Sequence, residues 1–204
     1  YVSGHPLARY LGKLPRLGVA GTDELGRAEA WSAVRVAGVV ENYQEKFFKG
    51  GSGGKAGFFE IEDMAGRVQA KVRGDRVDQY APLLTRGDPV VVSGKVSFPI
   101  TDEPTVEPVP TLLVDEVELL SDVVRRGTRA VSIRLDVDRA ASKQLQGLRD
   151  LLREFPGPCP VEVVFSLPEG AKTVISLDPT KVEPNDAMLS GLERLFGGCV
   201  AELL

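Results

Sequence analysis

The chain has 204 residues, 43% hydrophobic and 26% charged, with a formal net charge of −4. That length accommodates two small globular domains with cores of their own, and no apolar run approaches the roughly 20 residues that a membrane-spanning helix requires. Two cysteines, Cys159 and Cys199, and one histidine, His5, are too few for a four-ligand zinc site. The cysteines are therefore expected as small buried side chains in a reducing cytoplasm, with neither metal nor cofactor. The chain opens on Tyr1 rather than methionine and has no basic-then-apolar signal segment, which implies a piece of a longer cytoplasmic protein.

Residues 1–32 read as a leading arm and linker. In Tyr1–Leu11, YVSGHPLARYL, Pro6 can start a short helix with Leu7, Tyr10, Leu11 and Leu14 on one side. No nucleophile or carboxylate constellation accompanies His5, so a packing or capping role is expected for it. Residues 15–32, rich in glycine and small polar types, are expected as a linker with a short strand near Trp31.

Residues 33–120 read as five strands and a helix. Val34–Phe48 is the first strand, with Gly38 inside it as the mark of a bulge or barrel corner; Phe58–Asp63 is the second, with Phe59 and Ile61 inward and Phe58, Glu60 and Glu62 outward. Ala65-Gly66 turns the chain into a third strand with Val68, Ala70 and Val72 inward and Arg67, Gln69, Lys71 and Arg73 outward. Asp75 can then cap a short helix carrying Val77, Tyr80, Leu83 and Leu84. Val90–Phe98 is the fourth strand, and its internal Gly94 marks a bulge or barrel corner. Thr111–Leu119 is the fifth. This order is that of an OB-fold, whose outer face on strands two and three takes oligonucleotides.

Charge supports the same reading. Val34–Phe98 holds ten Lys and Arg against eight Asp and Glu, so it is the mildly basic part of an acidic chain. The glycine-rich loop from Phe48 to Lys55 lacks the order of a phosphate-cradling P-loop and joins two strands. Lys46, Lys49 and Lys55 around it are expected to meet phosphates, and Phe58, Gln69, Lys71 and Arg73 to offer a stacking ring and polar partners. The loop from Pro99 to Pro110 carries Asp102, Glu103 and Glu107 and so implies weak binding. Glu60, Glu62 and Asp63 are the nearest acid group, but with Lys71 and Arg73 on the next strand they read as cross-strand ion pairs rather than a two-metal site, and no catalytic residue is assigned.

Residues 121–129 read as a hinge and 130–204 as a βαββαβ domain, most simply ferredoxin-like. Val131, Ile133, Leu135 and Val137 alternate as a strand; Asp138 caps a helix with the stripe Leu145, Leu148, Leu151, Leu152 and Phe155. The strands Val161–Leu167 and Thr173–Leu177 form a hairpin. Asn185 and Asp186 open a second helix ending at Gly197-Gly198, and Val200–Leu204 is a last, edge strand. In a ferredoxin-like sheet the first and third strands are central, so Cys159 and Cys199 fall on opposite edges. Leu195, Phe196, Leu203 and Leu204 then form an apolar partner-binding surface.

YVSGHPLARYL, VRVAGVVENYQEKF, GFFEIEDMAGRVQAKV with VVVSGKVSF, and VEPNDAMLSGLERLFG, in this order, resemble the C-terminal region of the alpha subunit of bacterial DNA polymerase III. The resemblance implies a cytoplasmic replicative polymerase whose catalytic domains lie upstream. It further implies an OB-fold near single-stranded template DNA and a terminal domain that binds the tau subunit of the clamp loader. The alternative is the OB-fold module of another enzyme, such as the anticodon-binding part of an aminoacyl-tRNA synthetase.

Overall fold

The computed structural model describes residues 6–48, 54–99, 109–137, 140–168 and 170–204. His5, Lys49, the acids Asp102, Glu103 and Glu107 and the expected cap Asp138 lie outside the described residues. The chain divides into two compact units, Tyr1–Val123 and Val124–Leu204.

In the first unit, inward apolar residues alternate along five strands: β1 (Ala33–Phe47), β2 (Lys55–Glu62), β3 (Arg67–Arg73), β4 (Val90–Ser97) and β5 (Thr111–Leu119). They close into a barrel of order β1-β2-β3-β5-β4, with β3 and β5 parallel and every other pair antiparallel. The predicted inward set is inside: Phe59, Ile61, Val68, Ala70 and Val72 are all buried. Helix α1 (Arg76–Leu84) adds Val77, Tyr80 and Leu84 to the same core. Burying side chains of that size stabilises the fold by about 1.5–3 kcal/mol each. Asp75 stands at the N-cap as expected but makes no side-chain capping bond.

Gly94 sits where the β4–β5 register shifts, as a strand glycine signals. A Cβ there would run into the Leu113 carbonyl. The bulge in β1 lies instead between Glu41 and Gln44, where Asn42 adopts φ 56°. Gly38 serves close approach, because a Cβ there would meet the Glu62 carbonyl oxygen at 2.5 Å.

The expected linker is tied down instead. Residues Pro15–Leu17 and Thr22–Arg27 form short 3-10 turns, Leu25 is 1% exposed within the barrel core, and Trp31 occupies a left-handed turn rather than a strand. Backbone pairing overrides composition here: Ala20 N–H donates to the Arg35 carbonyl at 2.8 Å, and Arg35 donates to the Leu17 carbonyl at 2.9 Å. In the leading arm Leu7, Tyr10 and Leu14 are buried as predicted, whereas Leu11 is exposed.

The expected hinge is also helical: α2 spans Leu120–Gly127. Its buried Leu120, Val123 and Val124 recur at helical spacing, and Asp122 near the start with Arg125 and Arg126 near the end suits the helix dipole.

The second unit has the predicted βαββαβ element order: β6 (Val131–Asp136), α3 (Ser142–Glu154), β7 (Pro156–Ser166), β8 (Lys172–Val182), α4 (Asp186–Phe196) and β9 (Ala201–Leu203). Its strand order corrects the ferredoxin-like expectation. The sheet runs β8-β7-β6-β9, with β7 beside and parallel to β6, so the first and second strands of the domain are central and the third is an edge. Burial explains the choice. Val161 and Val163 of β7 are buried, while β8 is exposed along most of its length and contains Pro179, which has no N–H to give a neighbour. Cys159 is accordingly buried in a central strand and Cys199 is exposed before β9; they form no disulfide.

Asn185 caps α4 as predicted, accepting the Met188 N–H at 2.9 Å, and Gly197 ends it at φ 76°. Helix α3 starts at Ser142, later than the Asp138 cap would place it, with the Gln144 side chain accepting the Ala141 N–H at 3.3 Å. Val137, beyond β6, is exposed. The two helices interlock through glycines. A Cβ on Gly147 would meet Leu195 at 2.9 Å, and one on Gly191 would meet Leu151 at 2.6 Å.

Asp63 ties the 3-10 turn to the β2–β3 turn. It accepts the Thr22 N–H at 2.8 Å, the Thr22 hydroxyl at 2.6 Å, and the Ala65 and Gly66 N–H groups at 2.8 and 2.9 Å. Burial opposes its charge, but these bonds outweigh it and hold the carboxyl below its ordinary value of 3.8. A carboxylate depressed in the folded state contributes stability above its unfolded pKa and loses it as pH falls through the folded one. Asp63→Asn is therefore expected to flatten the fall in stability of this chain below about pH 4, measured by urea unfolding across the acid range.

Candidate nucleic-acid interface

The outer face of β2 and β3 is divided into two electrostatic halves. At the turn end, Glu60 accepts from Gln69 Nε2 at 2.6 Å and from Asn42 Nδ2 at 3.0 Å, and Arg67 pairs with Glu62 at 2.7 Å and Glu60 at 3.9 Å. Gln69, a predicted DNA-binding residue, is thus engaged within the protein. The carboxylates pair with Arg67 rather than with the expected Lys71 and Arg73.

The opposite half carries the cations and rings. Phe58 lies directly across from Lys71 on β3 and from Gln44 on β1. Lys71 Nζ stands 4.8 Å from the Phe58 ring centre and 5.6 Å from that of Phe48, and Lys46 Nζ is 5.3 Å from Phe58. Phe48 and Phe58 are 6.4 Å apart with planes tilted 58°. Lysines over aromatic faces hold each other in place, leaving Phe48 and Phe58 as ring faces amid positive charge. Phe48 and Phe47, 50% and 76% exposed, end the first strand. Phe48 is not among the residues expected to bind DNA, and its place next to Lys49 is the one sequence signal for it.

Lys55 is the correction on this surface. It pairs with Glu45 at 2.7 Å and also with Asp78, and these two hydrogen bonds, Asp78 first, push its ammonium above the ordinary range. Glu45 also accepts the Tyr43 hydroxyl at 2.9 Å; burial, then that bond, push the phenol up to about 12. Lys55 therefore braces the stem of the β1–β2 hairpin against α1 instead of facing phosphates. Its other neighbour is the Phe47 ring, at 5.7 Å.

In the second unit the four residues assigned to a partner surface do not form one patch. Leu203 is buried and pairs with Val131 in the sheet, so it completes the domain's own core. Leu195 packs on α3 at Gly147, and Leu195, Phe196 and Leu204 are half-buried. Among the described residues no group of three or more His, Cys, Asp and Glu is placed to hold a metal, and no helix is long and apolar enough to cross a membrane.

Burial, and then the neighbouring Arg73 charge, hold the Lys71 ammonium below its ordinary value. Arg73→Gln is expected to raise that pKa part of the way back, read from the lysine side-chain resonances in an NMR pH titration.

Residues 34–120 match the family described as tRNA_anti-codon, OB-fold nucleic acid binding domain. Curated relatives extend along the whole chain. DNA polymerase III subunit alpha of Pseudomonas fluorescens is 28% identical over 97% of this chain and 16% of that protein; those of Vibrio cholerae and Escherichia coli K12 are each 24% identical over 100% of this chain and 17% of theirs. The chain thus spans about one sixth of the length of these relatives. Among solved structures, the second OB-fold domain of replication protein A from Methanococcus maripaludis covers 47% of this chain and 90% of its own, at TM-score 0.37 and 16% identity. Residues 34–120 are thus a closed five-stranded barrel similar to the OB-fold nucleic acid binding family, within a chain similar along its full length to proteins named DNA polymerase III subunit alpha.

Proposed function

We propose that this chain is a non-catalytic module of a replicative DNA polymerase alpha subunit. It holds single-stranded template DNA on the OB-fold and tethers the polymerase to the clamp-loader tau subunit through the second unit. Nucleotidyl transfer belongs to other domains of the parent. The observation that carries the DNA reading is the ring-and-cation half of the β2–β3 face, where Phe48 and Phe58 lie among Lys46, Lys71 and Arg73. Bases stack on such rings for about 1–3 kcal/mol each, while the cations take phosphates. Glu60 and Glu62 on the same face reduce the attraction, so binding is micromolar at best and falls steeply with salt. The alternative, an anticodon-binding module, is not favoured, because the relatives spanning the whole chain are polymerase subunits.

A titration of labelled oligo-dT tests the DNA reading. Lys71→Glu/Arg73→Glu is expected to weaken binding by at least about tenfold, and equal affinities for variant and wild type would remove this face from the function.

The tethering role is supported by a similarity that runs through residues 124–204 as well as the barrel. With Leu203 in the core, the residues left to meet tau are Leu195, Phe196 and Leu204. Phe196→Glu, with an unchanged melting temperature, is expected to lower tau affinity by about tenfold or more in a binding assay with this chain. Unchanged affinity would place the contact elsewhere.

A further inference from the structure

The barrel's register sets a second group of cations beside the Phe58 platform. Leu113 of β5 pairs with Lys71 of β3 on one side and with Lys95 of β4 on the other. One row around the barrel therefore reads Phe58, Lys71, Leu113, Lys95. Arg73 lies two residues beyond Lys71, and Arg76 opens α1. A shallow cleft of about 210 Å³ is lined by Lys71, Arg73, Arg76 and Lys95 over Leu113, Val114 and Asp115.

Four cations face one carboxylate in that lining, and the carboxylate is already engaged: Arg76 pairs with Asp115 at 2.9 Å and reaches the Val114 carbonyl at 3.5 Å. The floor is otherwise apolar. Such a cleft offers donors and charge but no array of groups that would read base edges. We infer that it is a phosphate subsite for the backbone of a single-stranded nucleic acid whose bases stack on Phe58. The inference rests on the DNA-binding reading above and extends it past β3. Lys71 and Lys95 donate to non-bridging phosphate oxygens as point charges, and the Arg73 guanidinium does so as a fork. The strand then runs across β2, β3, β5 and β4, transverse to the barrel strands, and its contact in the cleft is independent of sequence. The burial and like-charge crowding that depress Lys71 are offset by the opposite charge when an anion enters.

The test is fluorescence anisotropy on the 204-residue chain with oligothymidylates of about 5 and about 15 nucleotides, the shorter spanning the ring platform alone. Each is titrated across a potassium chloride series with melting temperatures matched among variants. Lys95→Gln is expected to weaken the longer ligand several-fold, to make its log–log salt slope shallower by about 0.7, the value of one single-strand phosphate contact, and to leave the shorter ligand unchanged. If Lys95→Gln binds both like wild type while Phe58→Ala loses affinity, the subsite is wrong and the DNA-binding reading survives. If Phe58→Ala binds like wild type while Lys95→Gln loses the longer ligand, the subsite stands and the stacking platform falls. No binding by wild type overturns both. Inorganic phosphate at constant ionic strength is expected not to displace the longer ligand. Displacement that Lys95→Gln abolishes would make the cleft a free-anion site and overturn its assignment to a nucleic-acid backbone.

Discussion

Three backbone pairs close the barrel: Gln69 with Thr111, Ala70 with Leu112, and Lys71 with Leu113. Without this short parallel seam β3 and β5 would each present an open edge, and the sheet would have no enclosed interior for Phe59, Ile61 and Leu112 to fill. The seam also decides the charge pattern outside. Because the row through Phe58 and Lys71 continues into Leu113 and Lys95, residues far apart in sequence meet on one surface at strand spacing. The ladder, rather than flexible side chains, sets where those cations stand.

The barrel was legible because its signal is a period. Phe59 and Ile61 against Phe58 and Glu60, and Val68, Ala70 and Val72 against Arg67 and Lys71, fix the inward and outward faces with no tertiary knowledge. Gly94 carried its own steric message. What alternation does not encode is which segments lie side by side, and the corrections to strand order, linker and cation partners have that origin. In the second unit the elements from β6 to β9 follow the expected order, but β7 took the central position because its valines needed cover that β8 did not. Residues 15–32 look like a linker by composition, yet their backbone groups are paired with β1 and their Leu25 enters the core. The opposite error occurred at Leu203, where a chain-end leucine was read as exposed and is instead buried in register with Val131.

The candidate interface was legible by residue type and misjudged by partner. Lysines near a glycine-rich loop look alike in sequence, but Lys55 stands between Glu45 and Asp78 while Lys46 and Lys71 stand over Phe58. Asp78 lies on a helix 23 residues away, so no local pattern announces that pair. The same holds for Lys95. It is an isolated cation on a β-branched strand until the register sets it across Leu113 from Lys71. A basic surface is therefore poorly judged by counting charges in a window, since carboxylates brought in by the fold cancel some and spare others.

The reciprocal glycine contacts between α3 and α4 carry a consequence for sequence divergence. Gly147 receives Leu195 and Gly191 receives Leu151, and in each helix the glycine precedes the leucine by four residues, so the same short pattern is used twice with roles exchanged. A Cβ at either glycine displaces the leucine tip across from it, which couples positions 48 residues apart in one case and 40 in the other. A larger side chain at either glycine is met by a shift of the facing leucine's methyl groups, so these four positions respond to substitution in facing pairs rather than singly.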